Sequence, residues 1–192
     1  YTYNETDRLL NLVNHKDTYK NATSRKFKLD LIEFFEDDKY REMSVLELGA
    51  CQGDTTRIFS ELFKKVYAVD RDPENIQKLR QKCSDVDNVD ISMMDVTNDS
   101  WDFPQVDVVF VDASHDYPQV ALDIQKCIDL FDKPIIILDD YGNPNNRNIR
   151  ASIDDKIREG KIRVDKKIGE DIGFVTKAGW KMIDREGVIC RA

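Results

Sequence analysis

Histidine is nearly absent: the 192 residues hold only His15 and His115, too few for a zinc site built from imidazoles. Four cysteines, Cys51, Cys83, Cys127 and Cys190, include no CxxC pair. Three of them fall within or beside apolar elements, so reduced thiols are expected and a disulfide framework is not. No apolar run approaches the ~20 residues of a membrane span, and the start YTYNETDRLL is polar. Repeats, low-complexity tracts and Gly/Ser/Pro-rich linkers are also missing, and this length fits one domain. The chain begins without Met and is expected to be trimmed. Positive charge is in deficit, 29 Lys and Arg against 37 Asp and Glu for a net charge of −8. Such a chain has no overall cationic field to hold a phosphate backbone. Neither nucleic acid nor membrane is an expected partner, and the expected location is cytoplasmic.

What is present is alternation. Apolar runs at 43–48, 66–70, 106–112 and 134–140, with a weaker one at 89–94, are separated by segments of helical period. Ile58/Leu62 and Phe59/Phe63 recur four residues apart in the first of these segments. Pro73 suits the first turn of the next, which carries Ile76, Leu79 and Cys83 on one face. Helix 117–131 places Val120, Ile124, Cys127 and Phe131 on one side. Continuous apolar strands fit a parallel sheet covered on both faces. Strand, helix, strand, repeated with right-handed crossovers, predicts an α/β doubly wound sheet. Residues 3–15 and 24–38 read as helices before the first strand, the second capped at Thr23 or Ser24. A polar loop at 142–148 precedes a helix carrying Ile149, Ile153 and Ile157, and the tail reads as several short antiparallel edge strands with Gly turns.

Five predicted strands in succession end in an acid: Glu47, Asp70, Asp95, Asp112, and Asp139 with Asp140. In an open parallel sheet, ligands bind outside the carboxyl ends of the strands. Carboxylates gathered on that rim repel one another unless a cation or a set of donors sits among them. The turn after the first strand reads Gly49-Ala-Cys-Gln-Gly53, with Cys51 where a dinucleotide fold has its middle glycine. That disfavours a pyrophosphate. Asp70, 17 residues past Gly53, stands near the ~20-residue spacing of an acid that accepts ribose hydroxyls. A nucleoside without a diphosphate suits the turn.

On these segments together, the chain resembles a class I S-adenosylmethionine-dependent methyltransferase. Within that superfamily it is similar to the compact sugar and macrolide O-methyltransferase-like set, and more distantly to catechol O-methyltransferase. LELGACQGDTT resembles the first motif of that set, E-x-G-x-x-x-G-x-[ST]. VYAVDRDP resembles its ribose-binding strand end, MMDVTND its adenine-contacting segment, and FVDASHDY with ILDDYG its metal-binding and catalytic segments. The resemblance covers roughly 43–160. It implies a mostly parallel seven-stranded Rossmann-like sheet with antiparallel C-terminal edge strands. It also implies a single domain over 1–192, in which a helical segment 1–40 covers the substrate side and 43–192 binds the cofactor.

By the same resemblance Gly49 and Gly53 let the backbone approach the methionine part of S-adenosylmethionine, with Glu47 beneath its amino group. Thr55 donates at the helix start, though a plain cap is the structural alternative. Asp70 binds the ribose. Asp95 and the backbone of Val96 meet the adenine, unless Asp95 merely forms a turn. Asp112, which also faces the cofactor, joins Asp139 and Asp140 as ligands for Mg²⁺, a hard cation suited to oxygen donors. The alternative is that Asp139 and Asp140 only cap the following turn. His115, three residues after Asp112, stands where the catechol relatives carry a lysine base. An imidazole suits removal of a hydroxyl proton at neutral pH, although it could equally cap helix 117–131. Tyr117 and Tyr141 are pocket or core residues, and His15 is a solvent or cap histidine.

The implied function is methyl transfer to a hydroxyl of a small-molecule acceptor, assisted by a divalent metal. Alternatives are metal-independent N- or carboxyl-methylation, or a catalytically idle cofactor-binding module. No NPPY-like segment follows the fourth strand, which argues against methylation of base amino groups. The N-terminal helices and the 141–148 loop are expected to choose the acceptor. A homodimer is left open.

Overall fold

The computed structural model describes residues 8–192. After a single helical turn at 8–10 the chain runs through irregular turns to α1 (Arg25–Phe35) and a 3₁₀ turn (Asp38–Glu42). It continues through β1 (Ser44–Leu48), α2 (Asp54–Leu62), β2 (Lys65–Asp70), α3 (Pro73–Lys82), β3 (Val89–Met93) and β4 (Val108–Val111). Then follow α4 (Gln119–Leu130), β5 (Ile135–Leu138), α5 (Arg147–Arg158), β6 (Arg163–Val175) and β7 (Lys181–Arg191). Seven strands form one sheet in the order β3-β2-β1-β4-β5-β7-β6. The first five are parallel, while β7 is antiparallel to both β5 and β6.

Strand period two divides the core. Val45, Val108, Phe110, Ile135, Ile137 and Ile189 face one side and pack against Phe27, Leu31 and Phe35 of α1 and Ile58, Phe59 and Leu62 of α2. Leu46, Leu48, Val109, Val111, Ile136 and Leu138 face the other, against Val120, Ile124 and Cys127 of α4 and Ile149 and Ile153 of α5. Covered on both faces, these strands read as unbroken apolar runs. Ser24 caps α1 by accepting the Phe27 N–H at 3.0 Å. Pro73 opens α3 behind the Asp72 cap, where a missing N–H costs nothing.

Two expectations need correction. The helix expected over 3–15 stops after Leu10, and residues 3–7 of that span lie outside the described residues. The tail is one long hairpin rather than several short strands. Its glycines do not all mark turns: Gly179 does, whereas Gly169 lies where β6 bulges against β7. Gly187 has no room for a side chain, because a Cβ there would stand 2.4 Å from the Phe27 ring and 2.6 Å from the Leu138 carbonyl.

Candidate active site

The turn between β1 and α2 is held in three left-handed residues, Gly49 (φ 85°), Cys51 (φ 50°) and Gly53 (φ 89°). Gly49 is obligatory, since a Cβ would lie 2.3 Å from the Asp112 carbonyl oxygen. At Gly53 the added carbon would meet Leu79 Cδ1 at 2.5 Å. This glycine therefore permits the turn to pack on α3. Gly53 is also the N-cap of α2 and makes no side-chain cap. Thr55 is thus not a plain helix cap; it lines the cleft, with its hydroxyl 3.4 Å from that of Thr23.

Asp70, the last residue of β2, organises this turn. One of its oxygens accepts the Cys51 N–H at 2.8 Å, and the other accepts the Asp72 N–H at 2.9 Å and the Asn75 amide at 3.2 Å. A carboxylate offers about four lone-pair sites, so an acceptor site remains for a hydroxyl. Glu47 lies within β1 rather than at its end, buried on the α2 side, where it accepts the Thr56 hydroxyl at 2.5 Å. Burial, with the nearby charges of Asp112, Asp54 and Asp70 adding to it, pushes its carboxyl up to about 8. Thr56 was not singled out from the sequence, although the Thr pair at a helix start was the available signal.

Asp95 stands two residues beyond β3 and forms a turn. Its carboxylate accepts the Asn98 amide at 2.9 Å and the Thr97 N–H at 3.0 Å, which hold it below the usual range. The Val96 carbonyl is also occupied, by Trp101 Nε1 at 2.9 Å and Lys126 Nζ at 3.2 Å. Both residues nonetheless line the cleft.

Beyond β4 and β5, one ligand atom each from Asp112, His115 and Asp140 lie within 4.8 Å of one another. His115 Nδ1 is 3.4 Å from Asp140 Oδ2. Asp140 takes a left-handed backbone (φ 60°) and accepts the Asn143 amide at 3.0 Å and the Asn146 amide at 2.7 Å. Asp139, the third of the expected ligands, lines the same cleft but is not among the atoms that converge within 4.8 Å. Its Oδ1 is buried without a hydrogen-bond partner. Burial first, then neighbouring carboxylates, raises both Asp112 and Asp139 well above the usual carboxylate range. Glu186 contributes to both from behind, itself buried and held by the Ser24 N–H at 2.9 Å and the Glu170 N–H at 3.0 Å. Asn143, Asn146 and Glu186 were not legible as site residues. The run GNPNNRN was the one signal for the first two.

These groups share a cleft of about 1300 Å³ along the carboxyl ends of the parallel strands. Its far wall is the irregular segment 14–23, fixed by the Asp17–Lys28 ion pair at 2.5 Å and bringing Tyr19 and Lys20 to the opening. Tyr141 is buried beside the cleft and donates to Asp154 at 2.8 Å, while the half-exposed Tyr117 hydroxyl is 3.2 Å from Asp155.

Residues 45–130 match a family model described as a methyltransferase domain. Among curated protein sequences none matches the chain. Several solved structures share its architecture. Cofactor-bound Rv0187 from MTB is 16% identical, covering 98% of this chain and 88% of its own, with a TM-score of 0.65. A candidate RNA methyltransferase from Pyrococcus horikoshii is 16% identical, covering 100% and 97%, with a TM-score of 0.64. A candidate O-methyltransferase from Klebsiella pneumoniae is 17% identical, covering 97% and 88%, with a TM-score of 0.61. At these identities the structures establish the Rossmann-like methyltransferase fold. The domain match, over somewhat less than half of the chain, agrees with that fold. The acceptors named for the similar structures differ, so shared architecture does not select one. Among the described residues no helix is long and apolar enough to cross a membrane.

Proposed function

We propose that this chain transfers the methyl group of S-adenosylmethionine to a hydroxyl of a small-molecule acceptor. The observation that carries the reading is the meeting of Asp112, His115 and Asp140 within 4.8 Å on the cleft that Asp70 and Glu47 also serve. Asp70 retains an acceptor site for a ribose hydroxyl, and buried Glu47 suits the cofactor's ammonium group. Asp95 and Val96 line the part of the cleft where the adenine belongs, and Thr55 stands in the first turn of α2, where the helix dipole favours a carboxylate.

In the transfer, the acceptor oxygen forms a bond to the methyl carbon as the carbon–sulfur bond breaks, and its electron pair stays on sulfur. The hydroxyl proton leaves to His115. With Nδ1 directed at Asp140, Nε2 is the nitrogen that takes it, and the carboxylate stabilises the resulting imidazolium. Holding both reactants in line supplies much of the remaining acceleration.

The residues fit a divalent cation: two carboxylates converge beside an imidazole, and burial first, then the Asp140 and Glu186 charges, raises Asp112 well above the usual carboxylate range, a cost that a cation would relieve. The Asp112 and Asp140 carboxylates would hold Mg²⁺, leaving His115 to take the proton, and such an ion lowers the pKa of a bound hydroxyl. A metal-free course is the second reading. It is favoured by Asp140, whose carboxylate already accepts two amides and faces His115.

Calorimetry with S-adenosylmethionine, followed by methyl-transfer assays on hydroxylated small molecules with Mg²⁺ or chelator, tests the proposal. Cofactor binding with turnover on a hydroxyl is the expected result, and loss of turnover in chelator selects the metal course. Transfer only to amines or carboxyls overturns the acceptor assignment. Binding without any turnover leaves an idle cofactor module, and no binding overturns the whole reading.

A further inference from the structure

The C-terminal hairpin carries the most exposed apolar surface of the described residues. Trp180 is 71% exposed, Ile183 73%, Val175 56% and Met182 47%. The pairing shows where these residues stand. β7 lies against β5 only from Arg191 to Val188, and Val188 is opposite Leu138, the last residue of β5. From Val188 back to Lys181 the strand continues past the carboxyl end of the parallel sheet, paired with β6 alone. At about 3.3 Å per residue this arm extends roughly 23 Å beyond the rim. It therefore rises on the side where the cleft opens.

The arm is firmly rooted. Asp184 is paired with Arg150 at 2.6 Å and Lys167 at 2.8 Å, and Arg185 reaches Asp30 at 3.0 Å. The Arg150 guanidinium also lies 4.6 Å over the Tyr141 ring and 5.9 Å from that of Phe174. Beyond these anchors its tip is exposed among the described residues, and an isolated two-stranded ribbon is marginal in water. By the pairing, Trp180 and Met182 stand on one face of the ribbon and Val175 and Ile183 on the other, and monomeric proteins seldom expose large apolar surface without a use for it.

Charge indicates the partner. Residues 172–183 contain Lys177 and Lys181 and no acid, a net of +2. Removing that segment from a chain of −8 leaves −10, so the rest of the protein is strongly acidic. The cleft carries that sign too: apart from buried Glu47, Asp112 and Asp139, whose carboxyls are shifted towards the neutral form, seven Asp line it against three Lys and Arg. Exposed Asp72 and Asp116 are among the seven. A polyanion such as a nucleic acid or an acidic membrane would meet two lysines on a repelling body. A second copy offers instead the acidic surface that the tip complements. The arm does not satisfy this within its own chain, because none of its residues lines its own cleft.

We propose that the hairpin arm docks on a second copy of this chain, its basic and apolar tip seated against the acidic mouth of that copy's cleft. Apolar contact through Trp180 and Ile183 provides the area, while Lys177 and Lys181 set the orientation. Docking of this kind does not depend on the methyl-transfer reading.

Sedimentation velocity on the full chain over a range of concentrations, at low and high salt, tests it. A dimer that weakens with salt is expected. Trp180→Ser, or Lys177→Glu with Lys181→Glu, should raise the dissociation constant about tenfold or more. Circular dichroism melts at concentrations low enough for parent and variants to be monomeric should agree, since these side chains are exposed. Asp116→Lys should weaken the dimer similarly, and mixing it with the lysine-reversed variant should restore a heterodimer. A chain that stays monomeric at low salt overturns the proposal. So does a dimer indifferent to the tip substitutions, or a tip that instead binds anionic vesicles or RNA.

Discussion

Replacing Glu47 by glutamine tests the electrostatics of the cleft most directly. The carboxyl is 1% exposed and its protonation lies near 8, raised from an ordinary 4.5. The folded protein therefore holds a proton that the unfolded chain gives up above about pH 4.5. Stability from this group is complete below that value and falls as pH rises towards 8, because the unfolded state binds fewer protons there. At ~1.36 kcal/mol per pH unit, the loss between pH 4.5 and 7 is roughly 3 kcal/mol. A glutamine in this position cannot ionise but can still accept the Thr56 hydroxyl, so the Glu47→Gln variant lacks this component. Asp112 and Asp139 titrate in both proteins, so the difference between the two stability–pH curves isolates Glu47. Urea unfolding at several pH values should show the variant gaining on the parent by about that amount between pH 4.5 and 7. A cofactor ammonium beside Glu47 would restore its charge. S-adenosylmethionine binding at pH 7 should then release close to one proton from the parent and none from the variant. Calorimetry in buffers of differing ionisation enthalpy reads this directly. Parallel stability curves refute the buried-proton argument, and equal proton release refutes the placement of the ammonium.

Asp70→Ala should weaken S-adenosylmethionine binding by about 1.5–3 kcal/mol, as loss of a charge-assisted hydrogen bond does. It should also lower the melting temperature, because Cys51 and Asp72 lose the acceptor of their N–H groups; unchanged affinity in a titration removes Asp70 from the ribose site. Gly49→Ala should cost more than about 2 kcal/mol in denaturant unfolding, combining a left-handed backbone with a clash on the Asp112 carbonyl. A small cost there means that the turn can move. Asp139→Asn should keep any stabilisation by Mg²⁺ in thermal melts and become more stable than the parent as pH rises, since it removes a carboxyl that burial raises well above the usual carboxylate range. Asp140→Asn should lose the Mg²⁺ effect and turnover while retaining cofactor affinity; the reverse pattern would return Asp139 to the ligand set.

Much of the frame was legible because local physics wrote it. The apolar runs of β1, β2, β4 and β5, the Ser24 cap and Pro73 at the start of α3 follow from short-range preferences that tertiary contacts did not override. So did the acids at the strand ends, since a parallel sheet sends every carboxyl end to one rim. Linear spacing does not show what depends on a third element. Gly53 fits a ligand turn by position, yet its missing Cβ makes room for Leu79 of a helix that begins only after the next strand. Asp139 and Asp140 are neighbours in the chain, but adjacent residues at a strand end need not face the same way, and only Asp140 joins Asp112 and His115. The tail glycines resembled turns, although β6 and β7 continue through three of them. Only the order of strands, with β4 between β1 and β5, brings the ends of two strands and a following loop to one point. A sequence determines how each segment folds locally; which carboxylates share a charge depends on through-space distance, and distance exists only once the sheet has closed its order.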